Sequence, residues 1–170
     1  MKFVIASDLH GSWTWTEKLL EKFKEETADK LVLLGDLYYH GPRNPLPDGY
    51  APMKVAEALN AMKEDLIVVQ GNCDAEVDQM ISEFEFKQSV VLDMFEKKAF
   101  ISHGHKFNPD TFPNEEFDVM FYGHFHVPEI TEKDKKLFVN VGSVALPKNN
   151  SVHSYAVVDE TGILLKSLEV

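Results

Sequence analysis

Three short apolar runs in the first half of the chain constrain its fold more than any other feature. They span residues 3–6 (FVIA), 31–36 (LVLLGD) and 66–72 (LIVVQGN). Two segments between them, residues 12–30 and 53–65, have the helical spacing of apolar residues, and Ser12 or Thr14 is the candidate N-cap of the first. Continuous apolar runs of this length are typical of strands buried on both faces, and their alternation with helices indicates parallel pairing. The sequence therefore predicts an α/β fold around a mostly parallel sheet.

The second half of the chain changes character. Residues 86–104, 118–124, 128–143 and 154–169 have the pattern of strands and hairpins, with turns near EKDKK and DETG, which favours antiparallel or mixed pairing. No linker or internal repeat interrupts the pattern, so we expect residues 1–170 to form a single domain. A chain of this length can bury roughly 70% of its unfolded surface, which is enough for a substantial core.

Composition argues against two classes of partner. The formal net charge of −11 at pH 7 repels long polyanions, so we expect no polymeric nucleic acid as a partner. No apolar run approaches the roughly 20 residues that cross a bilayer, and the N-terminal run is too short for a secretion signal, so no membrane partner is expected. Cys73 is the one cysteine, which excludes an internal disulfide and favours a reducing, cytoplasmic location. The sequence is also compatible with a homo-oligomer.

Polar side chains of metal-binding types follow the predicted strands. Asp8 and His10 follow the first strand, and Asp36 ends the second. Later strand ends carry Asn72, Asp74, His103, His105, His124 and His126. Because ligands of open α/β sheets bind beyond the carboxyl ends of the strands, we expect these side chains to surround one cleft.

The chemistry of this set suits divalent cations. Carboxylate, amide and imidazole groups prefer ions such as manganese, iron or zinc, and seven ligands are about right for two ions. Asp36 is a candidate bridge, because a carboxylate between two cations is stabilised in its ionised form. Alternate residues of an extended chain point to the same side, so the D-x-H and H-x-H spacings predict that each pair faces the site.

The ordered motifs DLH, GD, GNCD, HGH and GHFH resemble those of the calcineurin-like metallophosphoesterase superfamily. The blocks HGPRNPLP, GNCDAEVDQ and GSVALPK resemble its small bacterial branch of YfcE-type phosphodiesterases. The resemblance extends from Phe3 to about Lys148. It implies a four-layer αββα sandwich of two mixed β-sheets flanked by helices, with a binuclear metal site at the sheet edges.

The resemblance also implies a ligand set for each ion. By motif match, the first ion is held by Asp8, His10, Asp36 and His126. The second is held by Asp36, Asn72, His103 and His124. His105 matches no ligand position, and we expect His105 and Asp74 to support the ligands from behind. Manganese is the favoured metal, with iron, zinc or nickel as alternatives.

Two such ions activate a bridging water and neutralise phosphate oxygens. The expected function is therefore a metal-dependent phosphodiesterase for small phosphodiesters, with a metal-bridging hydroxide as nucleophile and with Asp36, Asn72 and His103 as catalytic residues. A non-catalytic scaffold on the same fold, like the retromer subunit, is one alternative, and a phosphomonoesterase is another. Retention of all seven ligand residues favours an enzyme over a scaffold.

Three further residues are candidates for substrate contact. Cys73 stands where the superfamily motif G-N-H-[DE] has a histidine, and a thiol with a pKa of about 8.5 is a poor acid for a leaving group. Arg43 lies in the proline-rich loop 38–52, where its guanidinium could bind a phosphate as a fork. His40 could assist as a donor. The alternatives are a buried filler for Cys73, a structural ion pair for Arg43 and a loop hydrogen bond for His40.

Overall fold

The apolar runs form the strands of two β-sheets in the computed structural model, which describes residues 1–169. The strands are β1 (Phe3–Ala6), β2 (Lys30–Leu33), β3 (Leu66–Val69), β4 (Phe86–Lys87), β5 (Val90–Met94), β6 (Lys97–Ile101), β7 (Val119–Tyr122), β8 (Pro128–Lys133), β9 (Lys136–Val141), β10 (Ser154–Asp159) and β11 (Gly162–Ser167). The helices are α1 (Trp13–Glu25), α2 (Pro52–Asn60) and α3 (Glu76–Ile81), with a 3-10 turn at Lys63–Asp65.

Both sheets mix parallel and antiparallel pairs, as predicted. The first has the order β11-β10-β1-β2-β3-β4, in which β1 to β4 are parallel and β10 runs antiparallel to β1. The second has the order β5-β6-β7-β9-β8, in which β6, β7 and β9 are parallel and the two outer strands are antiparallel. Each sheet therefore presents several strand carboxyl ends at one edge.

Alternating side chains of β1 divide the interior into two cores. Phe3 and Ile5 pack between the two sheets. Val4 and Ala6 point to the opposite face and pack beneath α1 and α2, where they join the fully buried Leu19. This period of two is the geometry of a strand buried on both faces. Burial of a larger apolar side chain such as Ile5 or Leu19 contributes about 1.5–3 kcal/mol.

The outer face of the second sheet is covered by aromatic side chains. Phe100 and Phe138 of the sheet pack against Phe117, which lies in the connection between β6 and β7. No helix occurs in that connection, residues 102–118. The predicted sandwich of two mixed sheets is confirmed, and a loop rather than a helix forms its outermost layer on this side.

The helices differ from the sequence prediction in two places. The Ser12 side chain accepts a hydrogen bond from Trp15 N (3.3 Å) and caps α1, as predicted. The predicted helix 53–65 is wrong at its end, because α2 stops at Asn60 and a separate 3-10 turn follows. Helix α3 was not predicted. No helix of residues 1–169 has the length and apolar character needed to cross a membrane.

Candidate active site

The side chains at the strand ends meet because the backbone leaves the extended conformation there. Asp8, His10 and Asp36 have φ values of 59°, 45° and 56°. His124 and His126 have φ values of 66° and 61°. The extended-chain explanation of the D-x-H and H-x-H spacings is therefore wrong, since all four residues are left-handed. Each such residue costs about 1–3 kcal/mol and persists only where the surroundings enforce it.

Backbone hydrogen bonds between neighbouring loops enforce these conformations. Asp8 N donates to Gly35 O (3.1 Å), and His10 N donates to Asp36 O (2.9 Å). Gly123 N donates to His103 O (2.8 Å) in the second sheet. The loop after β1 is thus fixed to the loop after β2, and the loop after β6 to the loop after β7. Each ligand loop is aligned by the one beside it.

Asp74 joins two of these loops with a single carboxylate. Its Oδ2 accepts hydrogen bonds from Asp36 N and Gly71 N, both at 2.7 Å, and its Oδ1 accepts one from Leu37 N at 2.9 Å. Burial and the nearby Asp36 charge raise the pKa of Asp74 to about 6, although the three backbone donors oppose that rise. Asp74 therefore positions the turn that carries Asp36.

One half of the cluster gathers around Asp8. His126 Nε2 lies 3.1 Å from Asp8 Oδ1, and His10 Nε2 lies 3.4 Å from the same oxygen. The two imidazole Nε2 atoms are 3.4 Å apart. Asp36 Oδ2 lies 3.8 Å from His10 Nε2. Four potential ligand atoms thus converge on one small volume.

The other half gathers around Asn72 and shares Asp36. His103 Nε2 lies 3.3 Å from Asp36 Oδ2 and 2.9 Å from Asn72 Oδ1. His124 Nδ1 lies 2.8 Å from the same amide oxygen. Asp36 therefore lies between the two halves, and its Oδ1 accepts a hydrogen bond from Cys73 N (2.8 Å).

The hydrogen bonds of the histidines test whether this cluster fits metal ions. Nδ1 of His10, His103 and His126 lies 2.6–2.7 Å from a backbone carbonyl oxygen and must donate to it. The carbonyls belong to Tyr39, Leu34 and Leu146. In neutral rings, the Nε2 lone pairs then face the carboxylates. Asp8 Oδ1 is buried without a hydrogen bond in residues 1–169. Converging lone pairs and carboxylates fit cations, and carbonyl-oriented histidines are typical of metal ligands.

The pKa shifts of the cluster residues also fit the binding of cations. Burial disfavours charge on His103, but the carboxylates of Asp8 and Asp36 raise its pKa to about 9. Burial also disfavours charge on Asp8, yet the surrounding histidines hold its pKa well below its usual value. Burial and the neighbouring His103 lower the pKa of His124 to about 4. The centre of the cluster attracts positive charge, and a divalent cation would compete there with the proton of His103.

The cluster forms the floor of an open cleft. The cleft has a volume of about 320 Å³, and His10, Asp36, Asn72, His124 and His126 line it. The other lining residues are Gly41, Pro42, Arg43, Asn44, Cys73 and Lys148. A volume near the lower end of the range for ligand pockets indicates a small substrate.

The strand ends that form the cluster lie within a region that matches a known protein family. The sequence profile of the calcineurin-like phosphoesterase superfamily domain matches residues 1–162. The chain belongs to the calcineurin-like phosphoesterase superfamily. The match covers every strand end that contributes to the cluster, so the family and the geometry point to the same side chains.

Individual members of the superfamily resemble the chain over most of its length. The phosphodiesterase YfcE of Escherichia coli (strain K12) is 45% identical over 163 residues, which cover 94% of this chain and 88% of YfcE. A solved structure of YfcE, a phosphoesterase from E. coli, superposes with a TM-score of 0.95 at 41% identity, covering 99% of this chain and 94% of that one. The probable metallophosphoesterase YsnB of Bacillus subtilis (strain 168) is 28% identical, covering 93% of this chain and 83% of YsnB.

The structure brings all seven of the superfamily's expected ligand residues into the cluster. It also places Arg43 and Cys73 on the cleft wall. His40 lies elsewhere: its ring packs between Tyr39 and Tyr50, with centroid separations of 4.8 and 5.5 Å. The Nδ1 atom of His40 is buried without a partner in residues 1–169. His40 is thus a packing residue of the loop behind the cleft wall in this conformation.

His105 lies beside the cluster rather than beneath it. Its ring centroid is 5.3 Å from that of His103 and 6.1 Å from that of His124. The imidazole is exposed and makes no hydrogen bond to either neighbour within residues 1–169. Burial and the adjacent His103 lower its pKa. Any support it gives to the two histidines comes through ring contact.

Sequence reasoning missed Lys148 as a cleft residue. Lys148 N donates to His126 O (3.0 Å), which fixes its backbone to a member of the cluster. The residue closes the GSVALPK block, and this position beside a superfamily motif was the available signal. An isolated lysine in a loop gives no periodic pattern that would single it out.

Proposed function

We propose that this protein is a metal-dependent phosphodiesterase that hydrolyses small phosphodiesters. The observation that carries the proposal is the two-part cluster on the cleft floor, in which Asp36 lies within 3.8 Å of His10 on one side and 3.3 Å of His103 on the other. A shared carboxylate between two sets of imidazoles is the arrangement that two neighbouring cations require. The relationship to the phosphodiesterase YfcE supports the same reaction class.

Each half of the cluster is assigned one ion. Asp8, His10, Asp36 and His126 would hold the first. Asp36, Asn72, His103 and His124 would hold the second. The donor set of carboxylate, amide and imidazole favours manganese, with iron, zinc or nickel as alternatives. When bound, two such ions supply Lewis acidity and an activated water for attack on phosphorus.

The chain's own residues place the substrate and the ions. Asp36, Asn72 and His103 are the catalytic residues because they would hold the ions that supply Lewis acidity to the phosphate. Arg43 makes no ion pair or hydrogen bond within residues 1–169, so its guanidinium is available to bind a phosphate oxygen pair. Asp74 positions Asp36 through the backbone contacts described above. Replacement of Arg43 by alanine should raise the KM for a diester.

Cys73 limits the leaving groups that the enzyme can expel. Burial and the Asp36 charge raise the pKa of its thiol to about 12, so at neutral pH it is a neutral, weak acid beside the cluster. A leaving group must then depart without effective protonation. We predict that the rate for a series of aryl methyl phosphodiesters depends steeply on leaving-group pKa and that Cys73→His flattens the slope. Equal slopes in the two proteins would contradict this role.

The decisive test compares substrates and metals in one preparation. Protein loaded with manganese should hydrolyse bis-p-nitrophenyl phosphate much faster than p-nitrophenyl phosphate and should contain about two ions per chain by elemental analysis. A monoester preference would instead indicate a phosphomonoesterase. Two bound metals without hydrolysis of either ester would indicate a scaffold.

Three broader statements are also proposals. The core shared by the two sheets supports a single domain over residues 1–170, and the single Cys73 supports a cytoplasmic location. The net charge of −11 supports a small substrate rather than polymeric nucleic acid. A homo-oligomer remains to be tested by light scattering.

A further inference from the structure

Lys148 is the second cation of the cleft and has no assigned role. The cleft wall contains two cationic side chains, Arg43 and Lys148, and Asp36 on the floor is the one carboxylate among the lining residues. This local composition is unusual for a chain with 28 acidic and 17 basic residues. Complementary charge in a binding cleft selects the charge of the ligand.

The Lys148 ammonium group is free to bind a ligand. It makes no ion pair and no hydrogen bond within residues 1–169, whereas lysines elsewhere, such as Lys22 and Lys63, are paired with glutamates. The ammonium group of Lys24 also lacks a partner within residues 1–169, so it is the position of Lys148 on the cleft wall that distinguishes it from the other unpaired lysines.

The backbone of Lys148 is held in place although its side chain is free. Lys148 N donates to His126 O at 3.0 Å, and Ser151 Oγ lies 3.2 Å from the same carbonyl oxygen. His126 Nδ1 in turn lies 2.6 Å from Leu146 O. Segment 146–151 and His126 thus fix one another, so the base of the lysine side chain has a constant position relative to the cluster.

The charge of a simple diester does not require this second cation. A phosphodiester carries one negative charge, and Arg43 together with two divalent ions would already exceed it, even after the charges of Asp8 and Asp36 are counted. A ligand that complements Lys148 as well carries a further anionic group. With a cleft of about 320 Å³, that group lies on a short arm of the substrate.

We propose that Lys148 binds a second anionic group of the substrate, so that the preferred substrate is a phosphodiester with a carboxylate or phosphate on one short ester arm. This inference rests on the proposed phosphodiesterase function and deepens it. Lys148 acts as a specificity residue, and its contribution is made in binding the arm rather than in the chemical step.

A matched pair of substrates isolates the charge of the arm. p-Nitrophenyl 2-carboxyethyl phosphate and p-nitrophenyl 2-carbamoylethyl phosphate have the same size and the same leaving group, and they differ by one negative charge. The manganese-loaded protein should prefer the carboxylate by about tenfold in kcat/KM, mainly through KM, as expected for one charge-assisted hydrogen bond. A third substrate with a terminal phosphate on the arm shows which of the two anionic groups is bound better.

Variants then assign the preference to one side chain. Lys148→Gln should reduce the ratio of the two kcat/KM values to about one, and Lys148→Arg should retain it. Lys24→Gln is the matched control, because it removes the same charge from an exposed position near the end of α1 and should leave both rates unchanged. Equal rates for the two substrates in the wild type, or an unchanged preference in Lys148→Gln, would overturn the proposal.

Binding without turnover separates this inference from the proposed function. Calorimetry with methyl 2-carboxyethyl phosphate and its carboxamide, which lack a good leaving group, measures the preference directly in manganese-loaded protein. A Lys148-dependent preference without hydrolysis of any diester would support the anion site and contradict the phosphodiesterase. Diester hydrolysis without the binding preference would support the phosphodiesterase and contradict the anion site.

Discussion

The two ends of the sandwich use the same rare backbone conformation for different purposes. At one end, Phe95 with Glu96 and Asp134 with Lys135 are consecutive left-handed pairs, with φ values between 49° and 65°. They form the two-residue turns of the β5–β6 and β8–β9 hairpins. Paired left-handed residues match the twist of the flanking strands, so the conformation there serves chain reversal. We refer to this as the turn end.

At the other end, which we call the cleft end, left-handed residues carry the chemistry. Asp8, His10 and Asp36 do not form hairpin turns. Their backbone N–H groups and carbonyls bond to adjacent loops, and their side chains meet at the cluster. The turn end can accept many side chains, whereas the cleft end needs particular ones. Strain at the cleft end is held by buried contacts, which is typical of functional sites.

The largest expected effect at the cleft end comes from the shared carboxylate. Asp36→Asn keeps the shape of the side chain but removes its charge, which lies between His10 and His103. We expect kcat/KM for a diester to fall by about a thousandfold, since Lewis-acid stabilisation by a metal contributes several kcal/mol. Metal content measured by elemental analysis should fall from about two ions per chain to about one or fewer.

Asp93→Asn is the matched control for that variant. Asp93 lies on β5 with an exposed side chain, so the same chemical change there should alter neither metal content nor rate. Comparable losses in the two variants would show that overall charge, rather than a shared ligand, governs activity.

Glycine replacement gives the next largest contrast between the ends. A Cβ on Gly123 would lie 2.1 Å from Ser7 Oγ and 2.6 Å from Asp8 Oδ2. We expect Gly123→Ala to destabilise the protein by about 1–3 kcal/mol and, by displacing Asp8, to lower kcat about a hundredfold. Denaturant melts and diester kinetics on the same preparation measure both effects.

Gly162 at the turn end supplies the comparison. A Cβ there would meet no atom within 4 Å, but the φ of +132° is strained for any other residue. Gly162→Ala should therefore cost about 1 kcal/mol of stability with no change in kcat. If the two alanine variants had equal kcat values, the close packing around Asp8 would have no functional role.

Much of the cleft end was predictable because its signals are local. Asp8, His103 and His124 each follow an apolar run, and the rule that parallel strands end at a common edge predicts that they meet. The two-sheet fold followed from the same runs and from the hairpin signals of the second half. These inferences need only residue type, order and the position of strand ends.

The remaining features depend on contacts that sequence alone does not encode locally. The left-handed φ of His10 results from hydrogen bonds to the loop after β2, and residues far apart in the chain form them. The proline-rich loop gave no means of deciding that Arg43 reaches the cleft while His40 packs behind it. The aromatic cover of residues 102–118 has no regular period, and Lys148 has no pattern at all. Loop geometry, rather than element type, limited the prediction.

An ion-pair network near the turn end should have a smaller and purely structural effect. Glu26 accepts hydrogen bonds from Lys166 Nζ (2.5 Å) and Lys2 Nζ (2.7 Å), which lower its pKa. A lowered folded-state pKa stabilises the protein above the unfolded value of about 4.3, and that contribution is lost as pH falls through the folded pKa. Glu26→Gln should cost about 1 kcal/mol at pH 7.

The pH dependence distinguishes this network from nonspecific damage. The difference in unfolding free energy between wild type and Glu26→Gln should shrink as the pH is lowered below about 4, whereas diester hydrolysis at pH 7 should be unaffected. A difference that stays constant from pH 7 to pH 3 would contradict the role of ionised Glu26 and would point to lost packing instead.

The smallest effect should have the opposite sign. Lys135 has a φ of 62° in the β8–β9 turn, where its side chain is exposed. Glycine adopts this conformation without strain. Relief of about 1–2 kcal/mol of strain exceeds the entropy that glycine loses on folding, so Lys135→Gly should stabilise the protein by a net of about 0.5–1 kcal/mol. Chemical denaturation at pH 7 checks the sign, and activity should not change.

The matched replacement at the cleft end, His10→Gly, relieves similar strain at a φ of 45° but should abolish hydrolysis. Loss of stability in Lys135→Gly would mean that the left-handed conformation at the turn end is not under strain, and the contrast between the two ends would then rest on side-chain chemistry alone.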